Sequence, residues 1–262
     1  MSNVIEQFVA AKTGQPDGGA DLIFHSPHFA AVIDGVTCKT DLSSSACRRA
    51  AEIVAQAIGE LPPDATIEGA EERLTGAIAA EARKAARTFA ACAGIYSTHR
   101  REVWLFGDCQ AMLGGRSVAN PMAADRLMGG LRSLLIEHAL MHGTSEDEVR
   151  RADVGRAGIV EFLKLQEAFA NRETSPWGYA VLNGTPIPAE LWRRVSLSAS
   201  DRTVILATDG YPVLAPTLAE TEAKFARLLL TDPLCIRELR GTKGVCPGAQ
   251  SYDDRAYLRL AV

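Results

Sequence analysis

The chain has 262 residues, of which 47% are hydrophobic and 23% charged, and its formal net charge is -4 at pH 7. This composition is that of an ordinary globular protein with enough apolar side chains for a substantial core. Lysine and arginine form no run longer than two, which argues against partners such as nucleic acid or an anionic membrane surface.

Signals for membranes and secretion are also missing from the sequence pattern. No apolar stretch reaches the length of a membrane span, and residues 1–12 lack the apolar segment of a signal peptide. The six cysteines form no CxxC pair and stand at no zinc-finger spacing from histidine. We therefore expect a cytoplasmic protein whose cysteines remain reduced thiols.

The first half of the chain predicts strands on either side of two long helices. Short apolar runs bounded by turn residues predict strands at 21–25, 29–33, 93–98, 102–106 and 109–113. Apolar positions at helical spacing predict a first helix at 44–59, which Pro62-Pro63 follows. A stretch rich in Ala, Glu, Arg and Lys predicts a second helix at 68–91.

The second half opens with a helical region at about 121–172, where Ser145 and Glu148 have the spacing of a capping box. A further helix is predicted at 217–230. Strands are predicted at 177–182, 194–198, 203–208 and 255–261. This order lacks the regular alternation of a parallel α/β sheet, so it favours an α+β fold with antiparallel sheets in one domain, 1–262.

Acidic residues stand at the ends of several predicted strands. They occur in Asp34-Gly35, Gly107-Asp108, Asp209-Gly210 and Asp253-Asp254. Any one Asp-Gly pair is most simply a turn, but the recurrence at rigid strand ends indicates a shared site. Carboxylates, carbonyls and waters are the ligands of Mg2+ and Mn2+, so the pattern predicts a centre for hard divalent cations.

At these residues the chain resembles the metal-dependent serine/threonine protein phosphatases of type 2C, the PPM-type enzymes. That family has an early acidic residue, then Asp-Gly, Gly-Asp-Ser, Ser/Thr-Asp-Gly, and finally Asp-Asn or Asp-Asp before the terminal strand. The matching positions here are Asp21, Asp34-Gly35, Gly107-Asp108-Cys109, Thr208-Asp209-Gly210 and Asp253-Asp254. The resemblance implies a four-layer α-β-β-α sandwich, with two antiparallel sheets packed face to face and helices outside.

The resemblance also implies a role for each of these positions. Asp34 would bridge two Mn2+ or Mg2+ ions, and the carbonyl group of Gly35 would bind the second ion. Asp209 and Asp253 would hold the first ion, and Asp108 with Asp209 could hold a third. Asp34 and Asp209 would then be catalytic, because the attacking water would bridge the metals they hold.

Some positions depart from the family pattern. Val36 stands where some members carry a proton-donating histidine, and the usual Gly-Gly is missing after it. Lys12 is the nearest counterpart of the family's phosphate-binding arginine. Its ammonium group would bind phosphate as a point charge, without the paired hydrogen bonds that a guanidinium group donates. Lys39 is a second candidate contact. The early acidic residue, which would support a metal-bound water, is either Asp21 or Asp17, since Asp17 lies at the usual distance from Lys12.

The sequence therefore favours a metal-dependent phosphomonoester hydrolase, most similar to a serine/threonine protein phosphatase acting on a phosphorylated protein. Two alternatives stay open: a phosphatase of a small phosphorylated metabolite, and a pseudophosphatase that binds partners without turnover. A haloacid-dehalogenase-like enzyme is less favoured, because Val32 stands where its nucleophilic aspartate belongs. Cys109 is expected to be a buried strand residue. Residues 242–244 could form a phosphate-facing loop, although the interpretation as a solvated turn is favoured.

Overall fold

The computed structural model describes residues 3–14, 19–36 and 44–262. Within these ranges the strands are β1 (Asn3–Ala10), β2 (Leu22–His25), β3 (Phe29–Gly35), β4 (Ala91–Ser97), β5 (Glu102–Phe106), β6 (Gln110–Leu113), β7 (Arg116–Ala119), β8 (Arg193–Ser196), β9 (Thr203–Ala207) and β10 (Arg255–Ala261). The helices are α1 (Ser44–Gly59), α2 (Ile67–Ala85), α3 (Ala123–Met141), α4 (Glu146–Arg151), α5 (Val154–Gln166) and α6 (Leu218–Thr231). Asp17 and Lys39 lie outside the described residues.

Two five-stranded antiparallel sheets lie at the centre of the fold. The first sheet has the order β1-β10-β9-β6-β7, and the second has the order β2-β3-β4-β5-β8. Side chains alternate between the two faces of a strand, and along β3 both faces are apolar. Ala30 and Val32 belong to the core between the sheets, whereas Phe29, Ala31 and Ile33 belong to the core that contains α1 and α2.

The helices form the outer layers of this sandwich. Fully buried side chains such as Val54 and Ile58 of α1 and Leu74 of α2 cover the second sheet, and each contributes about 1.5–3 kcal/mol by its burial. On the first sheet, Tyr257 packs with Tyr211 beside the start of α6. The four-layer sandwich expected from the resemblance is confirmed. No helix in the described ranges is both long and apolar enough to span a lipid bilayer.

Two predicted elements, the helix at 68–91 and the strand at 177–182, differ most from the structure. Helix α2 ends at Ala85 instead of 91, because Ala86 takes a left-handed φ of 52° as the C-cap and Ala91 begins β4. Residues 177–182 do not form a ladder among the described strands. They make isolated bridges, Ala91 with Leu182 and Ala170 with Tyr179. A local apolar run therefore did not suffice to make a strand, because a strand also needs a neighbouring strand with which it can pair.

Two strands were missed. β1 and β7 lie at the edges of the first sheet, and both carry several exposed side chains. An exposed edge strand shows little hydrophobic alternation, so the sequence offered only a weak signal for either one. The capping box was predicted correctly: the Ser145 hydroxyl oxygen accepts from the backbone N–H of Glu148, and the Glu148 carboxylate accepts from that of Ser145.

Candidate metal centre

A pocket of about 280 Å³ lies where four acidic strand ends meet. Asp34 is in β3, Asp108 lies between β5 and β6, Asp209 follows β9 and Asp253 precedes β10, and all four line the pocket. They come from both sheets and are far apart along the chain. Lys12 lies at the same pocket, with an exposed side chain.

Two glycines permit the close backbone contacts that bring these strand ends together. A Cβ on Gly35 would lie 2.2 Å from the carbonyl oxygen of Cys47 in α1, and one on Gly210 would lie 1.9 Å from that of Asp254. Any side chain at either position would force the adjacent segments apart. The glycines of these Asp-Gly pairs are therefore required by packing as well as by turn geometry.

Asp21 contacts the site from inside the protein. Its side chain is 1% exposed and accepts a 2.6 Å hydrogen bond from the Thr208 hydroxyl, which in turn accepts a 2.8 Å bond from the backbone N–H of Ala256. Burial and the charge of Asp34 raise the pKa of Asp21, which places the two carboxyl groups close to each other. Asp21 thus links the ends of β9 and β10 to Asp34.

Asp254 has a structural role beside the pocket. Its carboxylate oxygens accept hydrogen bonds of 2.8 Å from the backbone N–H groups of Lys12 and Ala20. The Lys12 carbonyl oxygen accepts from the backbone N–H of Gln250 at 2.8 Å. These contacts fix the backbone of Lys12 at the pocket and leave its side chain to reach the opening.

The crowded carboxylates oppose each other's ionisation. Burial, followed by the charges of Asp108 and Asp253, raises the pKa of Asp34 to about 7. Burial and the charge of Asp209 raise the pKa of Asp108 to about 8. In addition, Oδ1 of Asp108 is buried with no hydrogen-bond partner in the described part of the chain. Converging carboxylates with one oxygen left without a partner fit the donor set that a hard divalent cation requires.

These raised values predict a pH dependence for the metal-free protein. Between pH about 4 and about 8, folded Asp34 and Asp108 keep protons that the unfolded chain releases, so the free energy of unfolding falls as pH rises. Each group contributes at most about 1.4 kcal/mol per pH unit in that range. Thermal melts of chelator-treated protein should show Tm falling with pH, with a shallower slope in Asp108→Asn. An equal slope in the two proteins would contradict this expectation.

A cysteine that the sequence did not single out joins the site. Cys92 pairs with Asp34 across β4 and β3, and its sulfur and one oxygen each of Asp34 and Asp108 lie within 4.8 Å of one another. Burial and the charges of Asp108 and Asp34 raise the pKa of Cys92, so the thiol holds its proton in the absence of a metal. Cys109, by contrast, is 0% exposed in the core between the sheets, so its predicted burial is confirmed, but it lies just before β6, which begins at Gln110, and so is not a strand residue.

A lysine also enters the acidic pocket. Lys243 forms an ion pair with Asp253, and 35% of its side chain is exposed. Burial alone would lower the pKa of Lys243, but the charges of Asp253 and Asp209 outweigh it and raise that pKa above its ordinary value. The interpretation of residues 242–244 as a solvated turn was therefore wrong, since Thr242 and Lys243 line the pocket.

The opposite wall of the pocket comes from the helical region between β7 and β8. The lining side chains there are Met122, Asp125, Leu163, Gln166, Glu167, Ala170 and Tyr179. The Gln166 side-chain amide donates a 2.8 Å hydrogen bond to Asp125, which ties α5 to α3. This wall mixes apolar side chains with the carboxylates of Asp125 and Glu167, and the charge of Asp125 contributes to the raised pKa of Asp108.

No family model matches the chain, and no curated protein matches it. Solved structures, however, do match this chain. The catalytic domain of serine threonine protein phosphatase PstP, in complex with 2 manganese ions, is 15% identical over 99% of this chain and 97% of that one, with a TM-score of 0.51. A bacterial serine phosphatase is 12% identical over 99% and 98%, with a TM-score of 0.52.

A third solved structure is similar to this chain to a comparable extent. The serine/threonine phosphatase Stp1 from Staphylococcus aureus is 11% identical over 99% of this chain and 95% of that one, with a TM-score of 0.51. At such identities these likenesses show the fold. The resemblance noted in the sequence motifs is thus confirmed at the level of the fold.

Proposed function

We propose that this protein is a metal-dependent phosphomonoester hydrolase that acts on phosphoserine or phosphothreonine in proteins. The observation that carries the proposal is the meeting of Asp34, Asp108, Asp209 and Asp253 in one pocket, on a fold shared with serine/threonine phosphatases. One of those solved structures is a complex with 2 manganese ions.

In this proposal the acidic strand ends hold two Mn2+ or Mg2+ ions. Asp34 and the Gly35 carbonyl group would hold one ion, Asp34 with Asp209 and Asp253 would hold the other, and Asp108 with Asp209 would offer a weaker third position. Two such cations activate water and stabilise the negative charge of a phosphoryl group in displacement. Because the raised pKa of Asp34, about 7, leaves it partly protonated at neutral pH without a cation, cation binding would release that proton, and affinity should rise with pH up to that range.

Lys12 is proposed to bind the substrate phosphate. Its backbone is held by Asp254 and Gln250, and the exposed residue lines the pocket. Lys12→Ala is expected to raise KM severalfold while leaving kcat nearly unchanged, because a ground-state contact is lost. Steady-state kinetics on a phosphopeptide checks this, with Lys84→Ala as the control, since the Lys84 side chain is 79% exposed on α2. A fall in kcat at constant KM would refute this role.

Hydrolysis of an aryl phosphate, measured with Mn2+, with Mg2+ and with chelator, tests the proposed reaction. Activity that needs the cation and disappears with chelator is the expected result. A folded, Mn2+-saturated protein without any turnover would instead favour a pseudophosphatase. Comparing phosphopeptides with small phosphorylated metabolites then tests the substrate, and a clear preference for a metabolite would overturn the protein-phosphatase assignment.

A further inference from the structure

The ammonium group of Lys243 occupies a position among carboxylates that a metal ion would share. It pairs directly with Asp253, and the charges of Asp209 and Asp34 also act on it. A divalent cation bound to Asp253 would lie within a few ångströms of this positive charge, where like charges repel strongly outside bulk water. Lysine and metal therefore compete for the same oxygen atoms.

The loop that carries Lys243 is held by a buried arginine of α3. Arg132 is 1% exposed, and its guanidinium group pairs with Asp153 at 2.8 Å. It also donates hydrogen bonds of 3.0, 3.2 and 3.0 Å to the carbonyl oxygens of Cys235, Gly241 and Leu234. A guanidinium group with its donors satisfied in this way fixes the backbone on the side of the loop before Lys243.

A second arginine holds the residue next to Lys243. Arg156 of α5 donates a 2.8 Å hydrogen bond to the carbonyl oxygen of Thr242. On the other side, a Cβ on Gly244 would lie 2.6 Å from Nη2 of Arg132, so the loop is packed directly against that guanidinium group. Contacts from both α3 and α5 thus direct Lys243 into the pocket, and its placement is a property of the fold.

We propose that Lys243 is an internal cation of the acidic pocket, which competes with a divalent metal ion for Asp253 and so limits metal affinity at that position. This inference rests on the proposed function and concerns the regulation of the same site. Metal binding at Asp253 would require Lys243 to move away. Lys243 is a poor candidate for the phosphate contact, because its charge is already paired whereas that of Lys12 is directed to solvent.

Titration calorimetry of chelator-treated protein with MnCl2 tests the competition without any measure of turnover. Lys243→Met keeps the length and apolar stem of the side chain and removes the charge. It is expected to bind Mn2+ about tenfold more tightly or better. Lys243→Arg keeps the charge and should bind no more tightly than wild type, and Lys84→Met, on the exposed surface, should equal wild type. Adding Asp253→Asn to Lys243→Met should remove the gain.

Each outcome decides one or both proposals. Tighter binding of Mn2+ by Lys243→Met than by wild type supports the competition. If wild type binds no Mn2+ at all while the variant does, the result also argues against a metal-dependent wild-type enzyme. Equal measurable affinities would overturn the competition and leave the proposed function standing. If neither protein binds Mn2+ or Mg2+, both proposals fail. A raised KM in Lys243→Met with unchanged metal affinity would identify Lys243 as a substrate contact and overturn its role as a competitor.

Discussion

Asp34→Asn is expected to reduce kcat on the order of a thousandfold or more while the protein stays folded. Asp34 lines the pocket together with Asp108 and Asp253, whose charges act on it, and in the proposed function its carboxylate would serve both cations. The amide removes the negative charge and weakens both positions at once. Aryl phosphate hydrolysis with saturating Mn2+ measures the loss, and calorimetry should show weaker Mn2+ binding in parallel.

The same substitution should stabilise the metal-free protein above neutral pH, because it removes one of several mutually repelling buried charges. A Tm at or above that of wild type in chelator therefore separates loss of chemistry from loss of folding. Asp64→Asn is the matched control, since Asp64 is exposed in the loop between α1 and α2. Wild-type turnover by folded Asp34→Asn, or an equal loss in Asp64→Asn, would contradict the proposed mechanism.

Arg132→Met is expected to lower the free energy of unfolding by about 3–5 kcal/mol. The substitution removes a guanidinium group that is buried with Asp153 and with three backbone carbonyl groups. The carbonyl oxygens of Leu234 and Gly241 and one carboxylate oxygen of Asp153 would lose this donor, and the lost hydrogen bonding sets the size of the effect. Equilibrium unfolding in urea measures it.

Arg237→Met supplies a matched control for this loss. Arg237 also pairs with a carboxylate, that of Glu137, but its side chain is 63% exposed, so the pair contributes about 0–1 kcal/mol. The two variants remove the same group from buried and exposed surroundings. Similar small losses in both would show that the contacts of Arg132 with the 241–244 loop contribute little to stability, which would contradict the expectation.

The local pattern of apolar residues sufficed to predict the elements whose burial is regular. The bounds predicted for α1, β5 and β10 coincide with those observed, since these elements bury continuous runs or a helical stripe of apolar side chains. The edge strands β1 and β7 were missed because half-exposed strands leave little such pattern. The segment 177–182 shows the converse, since it has the pattern of a strand but forms only isolated bridges.

The sequence by itself determined the acidic strand ends: apolar runs and an adjacent glycine mark Asp34, Asp108 and Asp209, and the final apolar run marks Asp253. Tertiary structure alone decided that Cys92 stands across from Asp34 and that Lys243 enters the pocket. Arg132 and its acceptor Gly241 are 109 residues apart, and no local pattern connects them. The physical reason is that side-chain periodicity reports which face of a segment is buried, whereas strand register and loop position depend on the packing of distant segments together.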